Sequence, residues 1–152
     1  MLSSRAKYAT RALLELSLQH ESGPVLIQDI ADRQQIPLKF LEQILLTLKH
    51  AGFVDSRKGR GGGYFLAKLP SAITLGAVVR AIDGPLAPIS CVSVMAYRAC
   101  GCPEPATCGL RTAWQEARNA LAEVLDKTTF AEIRERQKRL ETGQADALDY
   151  VI

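Results

Sequence analysis

Residues 36–67 read IPLKFLEQILLTLKHAGFVDSRKGRGGGYFLA, and their pattern decides the fold. Leu41, Ile44, Leu45 and Leu48 recur at i, i+3, i+4 and i+7, the spacing that gathers apolar side chains into one buried stripe of a helix. Pro37 suits the helix start, where its missing N–H would have no intrahelical partner, and Gly52 suits a left-handed cap at the end. Lys39, Glu42, Gln43 and Thr47 are left pointing away from the stripe. Residues 57–63 then hold three basic side chains, four glycines and no acid between two apolar runs, which predicts a two-stranded hairpin with a basic tip. Helix plus basic hairpin predicts a winged helix-turn-helix. In such a domain Glu42 and Gln43 discriminate bases, because Gln pairs with adenine and Glu accepts from the cytosine amino group. Lys39, Arg57, Lys58 and Arg60 supply phosphate or minor-groove contacts, and Gly59 lets the backbone approach closely.

On the N-terminal side, residues 4–20 are expected to form a helix capped by Ser3 or Ser4, with Ala6, Ala9, Leu13 and Leu16 inward. Lys7 and Arg11 lie in its first turns, within reach of phosphate. Glu21-Ser22-Gly23-Pro24 is a break, and Gln28 to Gln34 makes a short second helix burying Ile30 and Ala31. Three helices followed by a wing complete a DNA-binding domain over residues 1–70.

Charge supports that division. The chain of 152 residues carries only +3, which is no signature of nucleic-acid binding by itself. Residues 1–70, however, hold ten Lys and Arg against six Asp and Glu, whereas the rest of the chain is slightly acidic. No signal peptide and no run of membrane-spanning length is visible, so a cytoplasmic location is expected. Catalysis has little support: His20 and His50 are the only histidines, and neither lies near the cysteines in sequence. A thiol-dependent enzyme is the reading from another class, and no nucleophile–base order or phosphate-cradling loop favours it.

Residues 71–142 read as an accessory region. Thr74 caps a helix with Leu75, Val78, Val79 and Ile82 on one face, stopped by Asp83-Gly84-Pro85. Residues 84–109 hold four prolines and all four cysteines without a sustained period. A loop of that length without its own secondary structure is usually functional. A long helix is expected over Leu110–Lys127, with Trp114, Ala117, Leu121, Val124 and Leu125 forming an apolar stripe that the small domain alone need not cover. Thr129 to Glu132 has capping-box spacing and opens a last helix with Phe130, Ile133 and Leu140 inward. A loose tail is expected over residues 143–152.

The cysteines, Cys91, Cys100, Cys102 and Cys108, are separated by eight, one and five residues. In a reducing compartment such a cluster favours metal or redox chemistry over structural disulfides. Thiolates select an iron–sulfur cluster, zinc or cuprous copper, and the surrounding glycines and prolines let sulfurs converge. Without paired C-x-x-C knuckles, spacing leaves a cluster, a zinc site and a thiol/disulfide switch all open.

Tyr8-Ala9, Arg11-Ala12-Leu13, Ile30-Ala31, Leu41-Glu42-Gln43-Ile44-Leu45, Leu48, Ala51-Gly52, Val54 and Gly61-Gly62-Gly63-Tyr64 together resemble the Rrf2 family of bacterial transcription regulators, some of them iron–sulfur or nitric-oxide sensors. The resemblance covers about the first 135 residues. It implies a mainly α fold with a small β wing and a long C-terminal dimerisation helix. It further implies a homodimer on a pseudo-palindromic double-stranded DNA operator, with affinity tuned by an iron–sulfur cluster on three cysteines. Cys91, Cys102 and Cys108 match the family cysteines, although the first gap is longer, Cys100 is additional, and Arg111 replaces a ligating histidine. Lys58 likewise stands where an arginine usually enters the minor groove.

Overall fold

The computed structural model of the chain describes residues 2–143. Six helices and a two-stranded antiparallel sheet make a winged helix-turn-helix with a C-terminal helical extension. Helix α1 spans Ser4–Leu18, and the Ser3 hydroxyl accepts the Ala6 N–H at its start. It ends two residues earlier than the sequence suggested, giving way to a short 3-10 turn over His20–Ser22. Helix α2 covers Ile27–Gln34 and α3 covers Leu38–His50. Between them Gln35 takes the left-handed conformation, the only described non-glycine residue to do so, and Ile36 N–H bonds back to Ala31 at 2.9 Å. That tight turn fixes the angle between α2 and α3.

The C-terminus of α3 is closed by paired bonds. Gly52 N–H reaches Lys49 and Phe53 N–H reaches Leu48, both at 3.0 Å, with Gly52 at φ +81°. This Schellman arrangement satisfies carbonyls the helix would otherwise strand, and it buries Phe53 close to Leu48. Strands β1 (Val54–Arg57) and β2 (Gly63–Leu66) follow, paired from Val54 with Leu66 to Arg57 with Gly63. Val25 adds a bridge to Tyr64 that the sequence reading lacked, with both backbone bonds at 2.8 Å.

Leu13, Leu16, Ile30, Leu41, Ile44, Leu45, Leu48 and Val54 are essentially sealed from solvent. Ile73, Val78 and Phe130 belong to the same buried cluster, so the later helices contribute to the core of the head. Helix α4 (Leu75–Asp83) is capped by Thr74, and α6 (Phe130–Glu141) by the capping box of Thr129 and Glu132. Phe130 is buried and Ile133 half-buried, as expected, but Leu140 is 62% exposed rather than inward. It lies in the last turns, beyond the part of α6 that packs on the core.

Helix α5 runs Gly109–Lys127 and buries none of its residues. Its lower end is stitched to α4: Leu75 N–H bonds Thr128 and Phe130 N–H bonds Ile73, each at 2.9 Å. Arg80 forks onto Asp126 at 2.5 and 2.9 Å. Gly76 makes room for this clamp, since a Cβ there would sit 2.1 Å from the Asp126 carboxylate. The expected loose tail falls, past Gly143, outside the described residues.

Candidate nucleic-acid interface and cysteine loop

The amphipathic division of α3 is realised as expected. Leu41, Ile44, Leu45 and Leu48 are buried, while Lys39, Glu42 and Gln43 are exposed and Thr47 is half-buried. Phe40 is the residue the sequence reading passed over. Its ring is 53% exposed beside Gln43, although an apolar ring on that face gains nothing from water. The pattern held a clue, because Phe40 lies three residues before Gln43 and so shares its face.

Helix α1 borders the same surface. The Phe40 and Tyr8 rings meet edge to face at 6.4 Å, and the Arg11 guanidinium lies 5.9 Å from the Tyr8 ring centre. Arg5 donates to the Thr47 hydroxyl at 3.3 Å, and Thr47 in turn donates to the Gln43 carbonyl at 3.0 Å. Arg5, Lys39, Phe40 and Gln43 line one shallow concavity. Lys7 is exposed on the first turns of α1.

The wing is anchored at its base and open at its tip. Lys49 at the end of α3 bonds the Ser56 hydroxyl at 2.7 Å and pairs with Asp55 at 3.3 Å. The Ser56 N–H and Lys49 hold the Asp55 carboxyl below its ordinary range. Arg57 stacks over Phe65 at 5.9 Å, and Lys58, Gly59 and Arg60 are all exposed. Two glycines here are dictated by space. A Cβ on Gly62 would meet the Arg57 carbonyl oxygen at 2.2 Å, and one on Gly63 the Val25 oxygen at 2.4 Å. The tip can therefore fold back on itself and lie against the Val25 segment only without side chains at these positions.

The cysteine loop is of different construction. All four cysteines are free thiols. Cys91 is buried in a 3-10 turn over Ser90–Val92, a core position within the loop. Two arginines of α5 hold that turn: Arg111 Nε donates to the Cys91 carbonyl at 3.3 Å, and Arg118 donates to the Val92 carbonyl. Cys100 and Cys102 are exposed, and Cys108 caps α5 half-buried. The Cys102 N–H points at Cys100 Sγ, 3.4 Å away.

The thiols influence one another. Contact with the Cys102 thiol and its N–H favours the Cys100 thiolate and lowers its pKa. The same contact pushes Cys102 up to about 11, with Cys108 and Cys91 adding to the shift. Burial, then the neighbouring Cys100, raises Cys91. The donor set is thus chemically suited to a thiophilic centre, although among the described residues no three His, Cys, Asp or Glu side chains are gathered as metal ligands.

Beside the loop, Trp114, Leu121 and Val124 of α5 are 42%, 44% and 62% exposed and Ala117 is exposed, so most of the stripe read from the sequence is uncovered by its own chain, while Leu125 is half-buried. No described helix is long and apolar enough to cross a membrane.

Comparison with known proteins agrees with this architecture. A family model described as "Rrf2: Iron-dependent Transcriptional regulator" matches residues 2–136. The chain belongs to the Rrf2 family. Among Rrf2 relatives, an rrf2-like HTH-type transcriptional regulator of Rhodobacter capsulatus is 40% identical over 137 residues, spanning 88% of this chain and 91% of that one. The HTH-type transcriptional regulator IscR of Yersinia enterocolitica is 36% identical over 142 residues, spanning 93% and 84%. Of solved Rrf2-type structures, CymR, the global cysteine regulator of B. subtilis, superposes with a TM-score of 0.76 at 32% identity, covering 90% of this chain and 97% of that one. IscR of T. potens gives 0.74 at 27% identity, covering 96% and 92%. The chain is accordingly a transcription regulator of the Rrf2 type.

Proposed function

We propose that the chain is a cytoplasmic, homodimeric, sequence-specific DNA-binding regulator whose affinity for a pseudo-palindromic operator is set from the cysteine loop. The observation that carries the reading is the exposed polar face of α3, with Lys39, Glu42 and Gln43 at its N-terminal half, accompanied by a wing tip of Lys58, Gly59 and Arg60. Residues 1–70 form the reading head, and residues 71–142 carry the sensing loop and the dimerisation helices. Two heads joined through α5 read successive major grooves, and the wings hold the flanking minor grooves. Glu42 and Gln43 select bases. Lys7, Lys39, Arg57, Lys58 and Arg60 provide salt-dependent affinity.

Cys91, Cys102 and Cys108, with Cys100 as the additional donor, are the residues that would hold an iron–sulfur cluster. Bound there, such a cluster supplies an oxygen- and redox-sensitive centre. The chain's own part is mechanical: Arg111 and Arg118 tie the Cys91–Val92 carbonyls to α5, so a rearranged loop pulls on the helix that joins the heads. A coupling on the order of 1–3 kcal/mol between loop and operator is enough to change occupancy usefully. A thiol/disulfide switch is the second reading, favoured by the Cys100–Cys102 contact, with zinc as the remaining occupant. Protein purified without oxygen separates them: visible absorbance with iron and sulfide supports the cluster, whereas colourless protein with stoichiometric zinc rejects it.

DNA reading is tested by selecting an operator from random duplexes with the full chain. Gln43→Ala should relax base preference more than total affinity, and equal losses on selected and random DNA would remove Gln43 from its assigned role.

A further inference from the structure

Phe40 poses a problem that the polar face of α3 leaves unsolved. Single exposed apolar side chains are ordinary on protein surfaces, and Leu46, 48% exposed further along the same helix, is one. Phe40 differs in being held. Tyr8 abuts its ring edge to face, and Arg11 lies over Tyr8 in turn. Arg5 and Lys39 flank it on the concavity that Gln43 completes. The arrangement is an apolar floor with a cationic rim and one amide, on the face that would enter a major groove. A major groove offers one apolar group, the C5 methyl of thymine, and offers it beside phosphates and the hydrogen-bonding edges of neighbouring bases. Cytosine lacks that methyl, and adenine and guanine present only polar edges there.

We infer that Phe40 is a specificity-determining residue that reads a thymine, packing its ring against the C5 methyl of one base in each half-site. Tyr8 holds the ring at its angle, Arg5 and Lys39 face the flanking phosphates, and Gln43 pairs with the adjoining base. The inference rests on the DNA-reading role proposed above and adds a base identity to it.

Replacing thymine by deoxyuridine removes the methyl and leaves every hydrogen-bonding group in place, which isolates the contact. The operator selected from random duplexes is remade with each thymine changed in turn, and affinities for the full-length protein are measured at one fixed salt concentration. One symmetric pair of positions should weaken binding by about fourfold for each half-site, the value of burying one methyl-sized group. Phe40→Ala should bind the thymine operator more weakly and show no response to deoxyuridine at those positions. Phe40→Leu, which keeps an apolar contact, should retain part of the response. Circular dichroism of both variants checks that α3 is intact. Wild-type affinity unchanged by deoxyuridine at every position overturns the inference while leaving DNA reading in place. So does a Phe40→Ala variant that keeps the full response. Failure of selection to return any operator removes the DNA-reading proposal and this inference with it.

Discussion

Helices α1 and α5 are of comparable length and opposite character. The first buries seven of its 15 residues, including Glu15, whose carboxylate accepts from Arg33 and Gln34 at 2.9 Å each. The second buries none of its 19. One region is complete within its own chain, polar interior included. The other displays exposed apolar side chains beside a set of free thiols. The contrast teaches that the two halves are built differently: the head closes its core within the chain, while α5 leaves its own residues unburied, as the proposed sensing and pairing role of that arm requires.

The largest expected effect sharpens that division. Leu45→Ala in the sealed core of the head should cost about 2–5 kcal/mol in urea denaturation, because a cavity opens where helices meet. Val124→Glu on the exposed face of α5 should instead leave the far-ultraviolet circular dichroism of the head intact and shift sedimentation from dimer to monomer. Loss of folded signal without a change in association state would show that α5 supports its own protomer, and the contrast would break.

Next in size is the wing. Gly63 holds φ +145° with its missing Cβ directed at the Val25 carbonyl. Gly63→Ala should cost roughly 1–3 kcal/mol, the range for backbone strain, and should loosen the tip more than the core. Hydrogen exchange at Tyr64 and Val25 amides would report it, and unchanged protection would mean that the close approach is dispensable.

The smallest effect concerns the joint between the two regions. Arg80 and Asp126 are about a quarter and nearly a half exposed, so their pair should contribute under about 1 kcal/mol in a double-mutant cycle. Arg80 draws the Asp126 carboxyl below its ordinary value of 3.8. A depressed carboxyl stabilises the folded state above the unfolded value, and that contribution drains away as pH falls below about 4. Arg80→Ala should therefore narrow the difference in stability between pH 6 and pH 3. An unaltered profile would mean that the clamp does nothing for folding.

Much of the fold was legible because its signals are local. The i, i+3, i+4, i+7 leucines of α3, the Ser3, Thr74 and Thr129 caps and the glycine-rich tip each carry their meaning within one turn or one hairpin. What escaped depends on pairing across the chain. Val25 joins Tyr64 from 39 positions away, and the Arg80–Asp126 clamp closes over a separation of 46. Leu140 misled because an apolar residue at helical spacing still needs something opposite it, and periodicity does not say where the core stops. The burial of Cys91 likewise depends on α5 lying against the turn, which no composition of the loop reveals. Phe40 was visible in the sequence and was read only as part of a helix.

The stitching of Leu75 to Thr128 and Phe130 to Ile73 lies at one end of α5, while Cys108 sits at the other. Nineteen residues of helix separate them, about 28 Å at 1.5 Å per residue. The helix is in effect a lever with its fulcrum fixed to the head and its handle at the thiols. A shift of roughly 2 Å at the handle is a swing of only about 4° at the fulcrum. Under the dimeric, loop-governed reading proposed above, chemistry at the sulfurs reaches each head as a change of bearing.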